Sequence, residues 1–381
     1  MKFFHLSDLH IGIKLYNRDL LEDQKIVLRQ IVEQAGKECP DAIVIAGDIY
    51  DKAIPSVEAV GVFDQFVRSL RRTVPDAVIM MISGNHDSAP RVNLYRNILE
   101  EQKIYMVGMP PQGPEEQIEK VTLQDAWGNV NFYLLPFVKP SMVKTVVGTG
   151  ENGNLLSYQE SLRRMMEREQ IREEERNVCV SHQFYLPVGT GAEQVQRMDS
   201  EICTVGNIDQ VSAEILKKFD YSALGHIHKP MKVGGDRIWY CGTPMQYSVS
   251  EAGQKKAILM VELKEKGTYS VTPIPLNAPH EVRIIKGKLN EILKQECEDY
   301  VSVLLTDRMD LDICDMQDRL YTAFPNLLEI RRERWDRPDY EMADSQVEMD
   351  MDPYLLCCSF LKDLNEEEKM LLKKVIGEVQ E

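Results

Sequence analysis

Apolar and polar residues follow two distinct periods along this chain, one typical of buried strands and the other of amphipathic helices. Mostly apolar runs of four to seven residues are typical of strands covered on both faces. Five such runs occur before residue 230, at residues 2–7, 41–46, 77–83, 177–180 and 221–224. Apolar residues at helical spacing predict helices over residues 20–37 and 57–72, and a short helix is expected after Pro90.

Further strands and one charged helix complete the expected order of elements. Residues 121–137 predict two strands, and residues 231–240 and 256–275 predict two hairpins. Residues 160–176 are strongly charged and predict a solvated surface helix. This order predicts an α/β (α+β) fold over residues 1–278, in which two mixed sheets pack face to face and helices lie outside them.

The pattern changes after Pro279, where a small separate α/β lobe is expected over residues 279–338. This lobe is expected to cap the functional site of the preceding domain. Its strands and helices alternate, at residues 282–286, 289–296, 300–305, 315–323 and 327–332. Four arginines lie close to Trp335 in the sequence: Arg331, Arg332, Arg334 and Arg337. This group either contacts a DNA backbone or is an exposed basic strand end that neighbouring acids balance.

An acidic linker and a helical tail are expected beyond the lobe. Residues 339–352 contain six acidic residues and no basic residue, and a proline stands next to each edge. Residues 353–381 then form the C-terminal tail, with an amphipathic helix over residues 365–379. Such a helix either packs on its own domain or binds a partner.

Length and composition exclude several classes of protein. In 381 residues no apolar run approaches the ~18–20 residues of a membrane span, and an N-terminal strand is not a signal peptide. The eight cysteines show no C-x-x-C spacing, and Cys179 and Cys241 lie in apolar runs, so a reducing cytoplasm is expected. No P-loop motif is present, and the G-x-G-x-x-G match at residues 148–153 lies in a polar stretch that favours a loop.

The charge of the chain is acidic and uneven. The formal net charge is −16, and residues 281–381 contribute 25 acidic and 14 basic residues, a net of −11. Proteins that bind nucleic acid by themselves are usually basic. The acidity therefore argues against tight binding of DNA by this chain alone. It suggests that a partner supplies much of the affinity for DNA.

Five polar clusters follow the five apolar runs and contain only nitrogen and oxygen ligands. They are, in order, Asp8 and His10; Asp48 and Asp51; Asn85, His86 and Asp87; His182; and His226 and His228. Sites in α/β sheets gather at the carboxyl ends of the strands, so these side chains are expected to meet. The residue types suit divalent ions, and no thiolate indicates a structural zinc site. The clusters predict two metal ions that together cleave phosphate esters.

Individual residues of this set have distinct expected roles. Asp48 is the natural bridge between two ions, because a carboxylate has two oxygens. His5 lies beside the first cluster and is expected to have a supporting or core role. His280 lies outside the clusters and is expected at the surface.

The order DLH, GDIYD, GNHD, SH and GHIH resembles the calcineurin-like metallophosphoesterase superfamily, and residues 5–12, 47–56 and 242–248 resemble its SbcD family of bacterial nuclease subunits. The resemblance covers about residues 1–275. It implies two ligand sets that share one residue: Asp8, His10, Asp48 and His228 for one ion, and Asp48, Asn85, His182 and His226 for the other. It also implies that His86 is a catalytic residue that faces the scissile phosphate and assists the leaving group. Asp51 and Asp87 are expected to orient the ligands, the alternative being that they cap helices.

The resemblance also implies what the protein does and with whom. The expected activity is that of an exonuclease and endonuclease subunit that cleaves DNA ends and hairpins in repair, recombination and replication. The expected cofactors are two divalent ions, Mn²⁺ in the first place and Mg²⁺ or Fe²⁺ otherwise, and no organic cofactor is expected. The expected partner is an SbcC-type coiled-coil ATPase that controls cleavage and binds the tail.

Two alternatives stay open. The helix at residues 57–72 carries more apolar surface than one helix face needs, and the resemblance implies a homodimer, hence a heterotetramer with the ATPase. Burial of that surface inside the monomer is the alternative.

A stand-alone metallophosphoesterase acting on small phosphoesters or phosphoproteins is the other functional hypothesis, although such an enzyme would not need the lobe and the tail.

Overall fold

The computed structural model describes residues 1–187, 189, 198–201, 209–307, 313–333 and 366–380. The chain divides into two compact units, Met1–Glu333 and Arg334–Glu381. The site and both large sheets lie in the first unit. The described part of the second unit is one helix.

The first sheet has six strands, and its centre is parallel. Their order across the sheet is β16 (Tyr269–Leu276), β15 (Lys256–Leu263), β1 (Lys2–Leu6), β4 (Ala42–Ala46), β5 (Val78–Ile82) and β6 (Ile104–Val107). The four strands β1, β4, β5 and β6 pair in parallel. The strand β15 is antiparallel to both of its neighbours, β1 and β16. The carboxyl ends of β1, β4 and β5 therefore lie at one edge of this sheet.

The second sheet also has six strands and is likewise mixed. Their order is β13 (Met231–Lys232), β14 (Ile238–Tyr240), β12 (Tyr221–Gly225), β9 (Arg176–His182), β8 (Gly128–Leu135) and β7 (Glu119–Asp125). The central strands β14, β12, β9 and β8 are parallel. Two short pairs accompany the sheets: β2 (Lys14–Leu15) with β3 (Arg18–Asp19), and β10 (Phe184–Leu186) with β11 (Gln210–Ser212).

The two sheets pack face to face through an apolar layer that includes Phe3, Val44, Phe132 and Tyr221. Helices α1 (Leu21–Glu38) and α2 (Val57–Thr73) cover the outer face of the first sheet. Two short helices follow β5: α3 (Ala89–Val92) and α4 (Arg96–Glu100). Helices α5 (Pro140–Val147) and α6 (Tyr158–Arg168) cover the second sheet. The predicted fold of two mixed sheets with outer helices is confirmed.

The prediction of a solvated helix over residues 160–176 was wrong in two respects. The helix α6 ends at Arg168, and Arg176 opens the buried strand β9. The helix is also amphipathic, because Leu162, Met165 and Met166 are buried against the second sheet. Its many charges lie on the other face, which conceals the narrow apolar stripe when only composition is considered.

The lobe after residue 280 has the predicted order of elements. It contains β17 (Val282–Gly287), α7 (Leu289–Ile292), β18 (Tyr300–Leu305), α8 (Ile313–Ala323) and β19 (Leu327–Arg332). The three strands form a parallel sheet with a core of its own. The helix α7 is shorter than predicted, since residues 293–296 are not helical. The predicted domain boundaries stay predictions.

His280 does not lie free at the surface as predicted. Its Nδ1 lies 2.9 Å from the carboxylate of Asp23 on α1, and Tyr300 Oη donates to the same carboxylate at 3.2 Å. Arg18 donates to the carbonyl oxygen of Pro325 at 2.8 Å. These contacts join the lobe to α1 and to β3, which lie near the start of the chain.

The tail contributes the helix α9 (Glu366–Gln380), close to the predicted bounds. Arg334, Trp335, Arg337 and the acidic linker at residues 339–352 lie outside the described residues. Among the described residues no helix is long and apolar enough to span a membrane. The predicted G-x-G-x-x-G loop at residues 148–153 connects α5 to α6 and belongs to no βαβ unit.

Candidate metal centre

The loops after β1 and β4 lie side by side and are joined by main-chain hydrogen bonds. The N–H of Asp8 donates to Gly47 O, and the N–H of His10 donates to Asp48 O, each at 3.0 Å. Asp8, His10 and Asp48 have φ values of 51°, 41° and 49°. This left-handed conformation costs a non-glycine residue about 1–3 kcal/mol and persists only where the surroundings enforce it. The paired loops supply that enforcement.

Gly47 allows the second sheet to approach this pair of loops. Its φ is 90°, and a Cβ at this position would overlap with the ring of His182 at the end of β9. His182 can therefore donate from Nδ1 to Ala46 O at 2.8 Å. That bond leaves Nε2 of His182 directed at the carboxylates of the first sheet.

The polar side chains from five strand ends converge. Three groups each bring their ligand atoms within 4.8 Å of one another: Asp8, His10 and His228; His10, Asp48 and His86; and Asp8, Asp48 and His182. Asp48 Oδ2 lies 3.5 Å from His10 Nε2 and 3.3 Å from His182 Nε2. Asp48 therefore stands between the two halves of the cluster.

Asn85 and His226 extend the cluster on one side. Asn85 Oδ1 lies 3.0 Å from His182 Nε2 and 2.9 Å from His226 Nδ1. The N–H of His226 donates to Asp8 Oδ1 at 2.9 Å, which links the end of β12 to the first loop. The structure thus brings together all seven side chains that the sequence suggested as ligands.

His86 lies at the open side of this cluster. It is half-buried, whereas Asp8, His10 and Asp48 are fully buried. His86 Nδ1 lies 2.9 Å from the carbonyl oxygen of Asp51, and its main-chain N–H donates to Asp48 Oδ1 at 2.9 Å. The contact from Asp51 is made by the main chain, so it does not depend on the carboxylate.

Asp87 joins the loop after β4 to the loop after β5. Its carboxylate accepts hydrogen bonds from the N–H groups of Ile49 and Tyr50 at 3.0 Å and of Gly84 at 2.9 Å. The side chain is 9% exposed. The carboxylate therefore links the loop that carries Asp48 to the loop that carries Asn85.

The electrostatics hold His10 and Asp48 in the protonation states of metal ligands, and they favour the charged form of His182. Burial lowers the pKa of His10 far below its usual range, so the imidazole is neutral and has a free electron pair. Burial alone would raise the pKa of Asp48, but the neighbouring His182 and His10 outweigh it and hold that pKa well below its usual range. For His182, burial lowers the pKa and the Asp48 carboxylate raises it, to about 9.

Two features of the cluster fit divalent metal ions. Asp8 Oδ2 is buried and has no hydrogen-bond partner within the described ranges. The Nε2 atoms of His10 and His228 face each other at 3.2 Å, and if both rings carry their proton on Nδ1, two electron pairs meet there. A cation between such donors removes the repulsion, and the oxygen and nitrogen atoms suit Mn²⁺, Mg²⁺ or Fe²⁺.

The sequence reasoning missed the residues that hold the ligand loops from behind. Gln24 Nε2 donates to His10 O at 2.9 Å, and Tyr247 Oη donates to Leu9 O at 2.6 Å. A polar residue on the buried face of α1 was the available signal for Gln24, and for Tyr247 the signal was its place in residues 242–248, which resemble the family. His5 is fully buried, as predicted, and lies 3.0 Å from Tyr221 Oη.

Comparisons with known proteins found two family models, a curated relative and a solved structure that are similar to this chain. The family described as Calcineurin-like phosphoesterase matches residues 1–230, and the family described as Type 5 capsule protein repressor C-terminal domain matches residues 278–363. The chain is 30% identical over 347 residues to the SbcD subunit of the nuclease SbcCD from Staphylococcus epidermidis, which covers 89% of this chain and 87% of that protein. It is also similar to the crystal structure of a dimetal phosphatase from Danio rerio, with a TM-score of 0.40 and 13% identity over 72% of this chain and 96% of that one.

Proposed function

Since the chain belongs to the calcineurin-like phosphoesterases, and within them to the SbcD-type nucleases, it is a metal-dependent hydrolase, and we propose that it cleaves phosphodiester bonds of DNA at ends and hairpins. The observation that carries this proposal is the convergence of oxygen and nitrogen ligands from five strand ends around Asp48. The lobe and tail beyond the phosphoesterase domain also favour a nuclease subunit over a minimal phosphatase.

Two divalent ions, Mn²⁺ in the first place, would share the cluster. One would be held by Asp8, His10, Asp48 and His228, and the other by Asp48, Asn85, His182 and His226. The position of Asp48 Oδ2 between His10 and His182 supports its role as the bridge. When bound, the ions supply the positive charge that stabilises negative charge on the phosphate and the leaving oxygen.

His86 would assist the leaving group. Its Nδ1 donates to the carbonyl oxygen of Asp51, so the ring has a fixed orientation and Nε2 is the atom that exchanges a proton with the substrate. Its half-exposed position at the open side of the cluster is where a scissile phosphate would enter. The Asp87 carboxylate would orient the two loops that carry Asp48 and Asn85.

An ATPase partner would control cleavage through the tail. On α9 the apolar side chains of Met370, Leu371 and Val375 are 69%, 64% and 49% exposed. Exposed apolar side chains along one helix are typical of an interaction surface. We propose that α9 binds an SbcC-type coiled-coil ATPase, which would also supply the DNA affinity that a net charge of −16 opposes, and that the complex acts in DNA repair, recombination and replication.

The chain would also form a homodimer, and a heterotetramer with its partner. On α2 the residues Val62, Phe63 and Phe66 are buried in the core, whereas Val57 is 84% exposed and Val60 is 44% exposed. Exposed apolar side chains continue beside α3 and on α4. The apolar surplus of α2 is therefore divided between the monomer core and a surface suited to a second copy.

A nuclease assay with one variant tests the proposal. The full chain should cleave short single-stranded and hairpin DNA in the presence of Mn²⁺, and His86→Ala should reduce the rate by about 10²–10⁴-fold, the usual range for general acid–base catalysis. Elemental analysis should find the same bound metal in the variant as in the wild type. The matched control is His280→Ala, which removes an imidazole that contacts Asp23 and lies outside the cluster.

Two results would contradict the assignment. A chain that hydrolyses p-nitrophenyl phosphate but leaves all DNA substrates intact would be a stand-alone phosphoesterase. Loss of bound metal in His86→Ala would make His86 a ligand rather than a catalytic residue.

A further inference from the structure

A series of buried and half-buried polar groups lies behind His228, on the side of the ring that faces away from the other proposed ligands. Nε2 of His228 lies 3.2 Å from Nε2 of His10, within the cluster. Nδ1, at the other side of the ring, lies 2.6 Å from Ser200 Oγ. The same hydroxyl lies 2.7 Å from Glu251 Oε1. Ser200 therefore connects His228 to a carboxylate that does not reach the cluster.

Counting protons fixes the direction of these hydrogen bonds. A serine hydroxyl has one proton, and an ionised carboxylate can only accept. If Ser200 donated to His228, its 2.7 Å contact with Glu251 would join two acceptors without a proton. Ser200 therefore donates to Glu251, and Nδ1–H of His228 donates to Ser200. In this tautomer Nε2 has a free electron pair, which is the form that a metal ligand needs.

A buried lysine holds the carboxylate in place. Glu251 has no exposed surface and Lys256 is 5% exposed, and Lys256 Nζ lies 2.6 Å from Glu251 Oε2. Lys256 also donates to the carbonyl oxygen of His228 at 3.1 Å and to Thr243 Oγ1 at 2.7 Å. The pair thus contacts His228 twice, through its main chain and, by way of Ser200, through its ring.

Stability alone does not account for this pair. Burying two charges costs desolvation energy that the ion pair recovers only in part, and apolar replacements of buried pairs are often at least as stable. A carboxylate that hydrogen-bonds to the non-ligating side of a histidine, in contrast, is a common way to fix the ring orientation and tautomer of a metal ligand. The arrangement around His228 has this form, with a serine interposed.

We propose that Glu251, acting through Ser200, selects the Nδ1-protonated tautomer of His228 and directs Nε2 toward one ion of the metal centre, while Lys256 fixes Glu251 and the main chain of His228. This inference rests on the proposed function, in which His228 is a metal ligand. Ser200, Glu251 and Lys256 are positioning residues, because they act on the metal through His228.

The test is a calorimetric titration of the full chain with Mn²⁺. Ser200→Ala should weaken one of the two sites by about 10–100-fold, the usual effect of losing such an outer contact, and leave the other site near the wild-type affinity. Ser200→Thr keeps the hydroxyl and should restore binding. Ser200 is only partly buried, so Ser200→Ala should keep the wild-type circular dichroism spectrum.

Ser248→Ala is the matched control. Ser248 Oγ also donates to Glu251 Oε1, at 2.9 Å, but it is Ser200 that bridges this carboxylate to the His228 ring. The control variant should therefore bind both Mn²⁺ ions as the wild type does. A metal-free readout comes from a long-range ¹H–¹⁵N spectrum, in which His228 should be the Nδ1–H tautomer in the wild type and lose this preference in Ser200→Ala.

The inference and the proposed function fail in different ways. Ser200→Ala with two unchanged Mn²⁺ sites, an equal loss in Ser248→Ala, or an Nε2–H tautomer of His228 in the wild type would overturn the inference, whatever the nuclease assay gives. A wild-type chain that binds two Mn²⁺ ions but cleaves no DNA would instead contradict the proposed function, and the selective loss in Ser200→Ala would still support the positioning role.

Discussion

Replacing Arg176 by alanine should destabilise the fold strongly while removing nothing from the metal cluster. Arg176 opens β9 and is 3% exposed. Its guanidinium contacts both carboxylate oxygens of Asp125 on β7, with Nη1 at 3.0 Å from Oδ2. It also donates to the carbonyl oxygens of Gly128 and Lys264, each at 2.8 Å. These bonds join strands of both sheets.

The magnitude follows from the groups that lose their partner. Removing one member of a buried ion pair typically costs 3–5 kcal/mol, and each buried acceptor left without a donor costs about 1–3 kcal/mol. Asp125 keeps the N-terminal amine of Met1 as a partner and is 16% exposed, so water replaces part of the loss. We therefore expect Arg176→Ala to lower the free energy of unfolding by about 3–5 kcal/mol.

The loss of unfolding free energy in Arg176→Ala should depend on pH, and the direction of this dependence follows from the pKa of Asp125. Burial tends to raise the pKa of Asp125, but Arg176 and the N-terminal amine outweigh it and hold the pKa far below its usual range. A carboxyl group whose folded pKa is lowered stabilises the fold above its unfolded pKa of about 3.9 and loses this effect as the pH falls further. The difference in the free energy of unfolding between Arg176→Ala and the wild type should therefore reach its largest value at pH 7 and become smaller below about pH 4.

Urea unfolding followed by circular dichroism measures this difference. The matched control is Arg172→Ala, four residues earlier, whose side chain is 72% exposed and lies 3.6 Å from Glu175. An exposed pair of this kind contributes about 0–1 kcal/mol, so the control should unfold almost as the wild type does. Equal stability of Arg176→Ala and Arg172→Ala at pH 7 would show that the buried contacts of Arg176 do not stabilise the fold.

Three further predictions concern the metal centre, the dimer and the tail. Asp48→Asn should weaken both Mn²⁺ sites and His10→Ala mainly one, as measured by calorimetric titration, and one intact site in Asp48→Asn would rule out a bridge. Val57→Glu places a charge on the exposed surface of α2 and should convert a dimer into a monomer in light scattering at micromolar concentration, whereas a monomeric wild type would contradict the dimer. Deleting everything after Asp352 should preserve Mn²⁺-dependent cleavage of short single-stranded DNA but abolish ATP-dependent stimulation by the coiled-coil ATPase, and undiminished co-purification with that ATPase would exclude the tail as the docking element.

Local patterns in the amino-acid sequence were enough to predict the elements and the chemical character of the site. The strand predicted at residues 41–46 is Ala42–Ala46, two residues before Asp48, and a helix begins at Val57, so both lie within about one residue of the predicted positions. Both signals are local, because a buried strand needs an uninterrupted apolar run and a surface helix needs apolar residues at helical spacing. The residue types at the strand ends likewise indicated divalent metal ions before any distance was known.

Local patterns failed where one side chain meets a distant one. The sequence placed Arg176 at the end of a charged helix. It is instead buried in β9, because its guanidinium forms an ion pair with Asp125, 51 residues earlier. Glu251 and Lys256 are only five residues apart in sequence, but neither showed any link to His228.

These pairings depend on the three-dimensional packing of the chain. The burial of a charge depends on whether a compensating group from another strand reaches it, and that is set by how the two sheets pack rather than by neighbouring residues. The proposed ligands could be read from the sequence because they follow strand ends directly, whereas the residues proposed to orient them come from several distant segments and have no spacing in common.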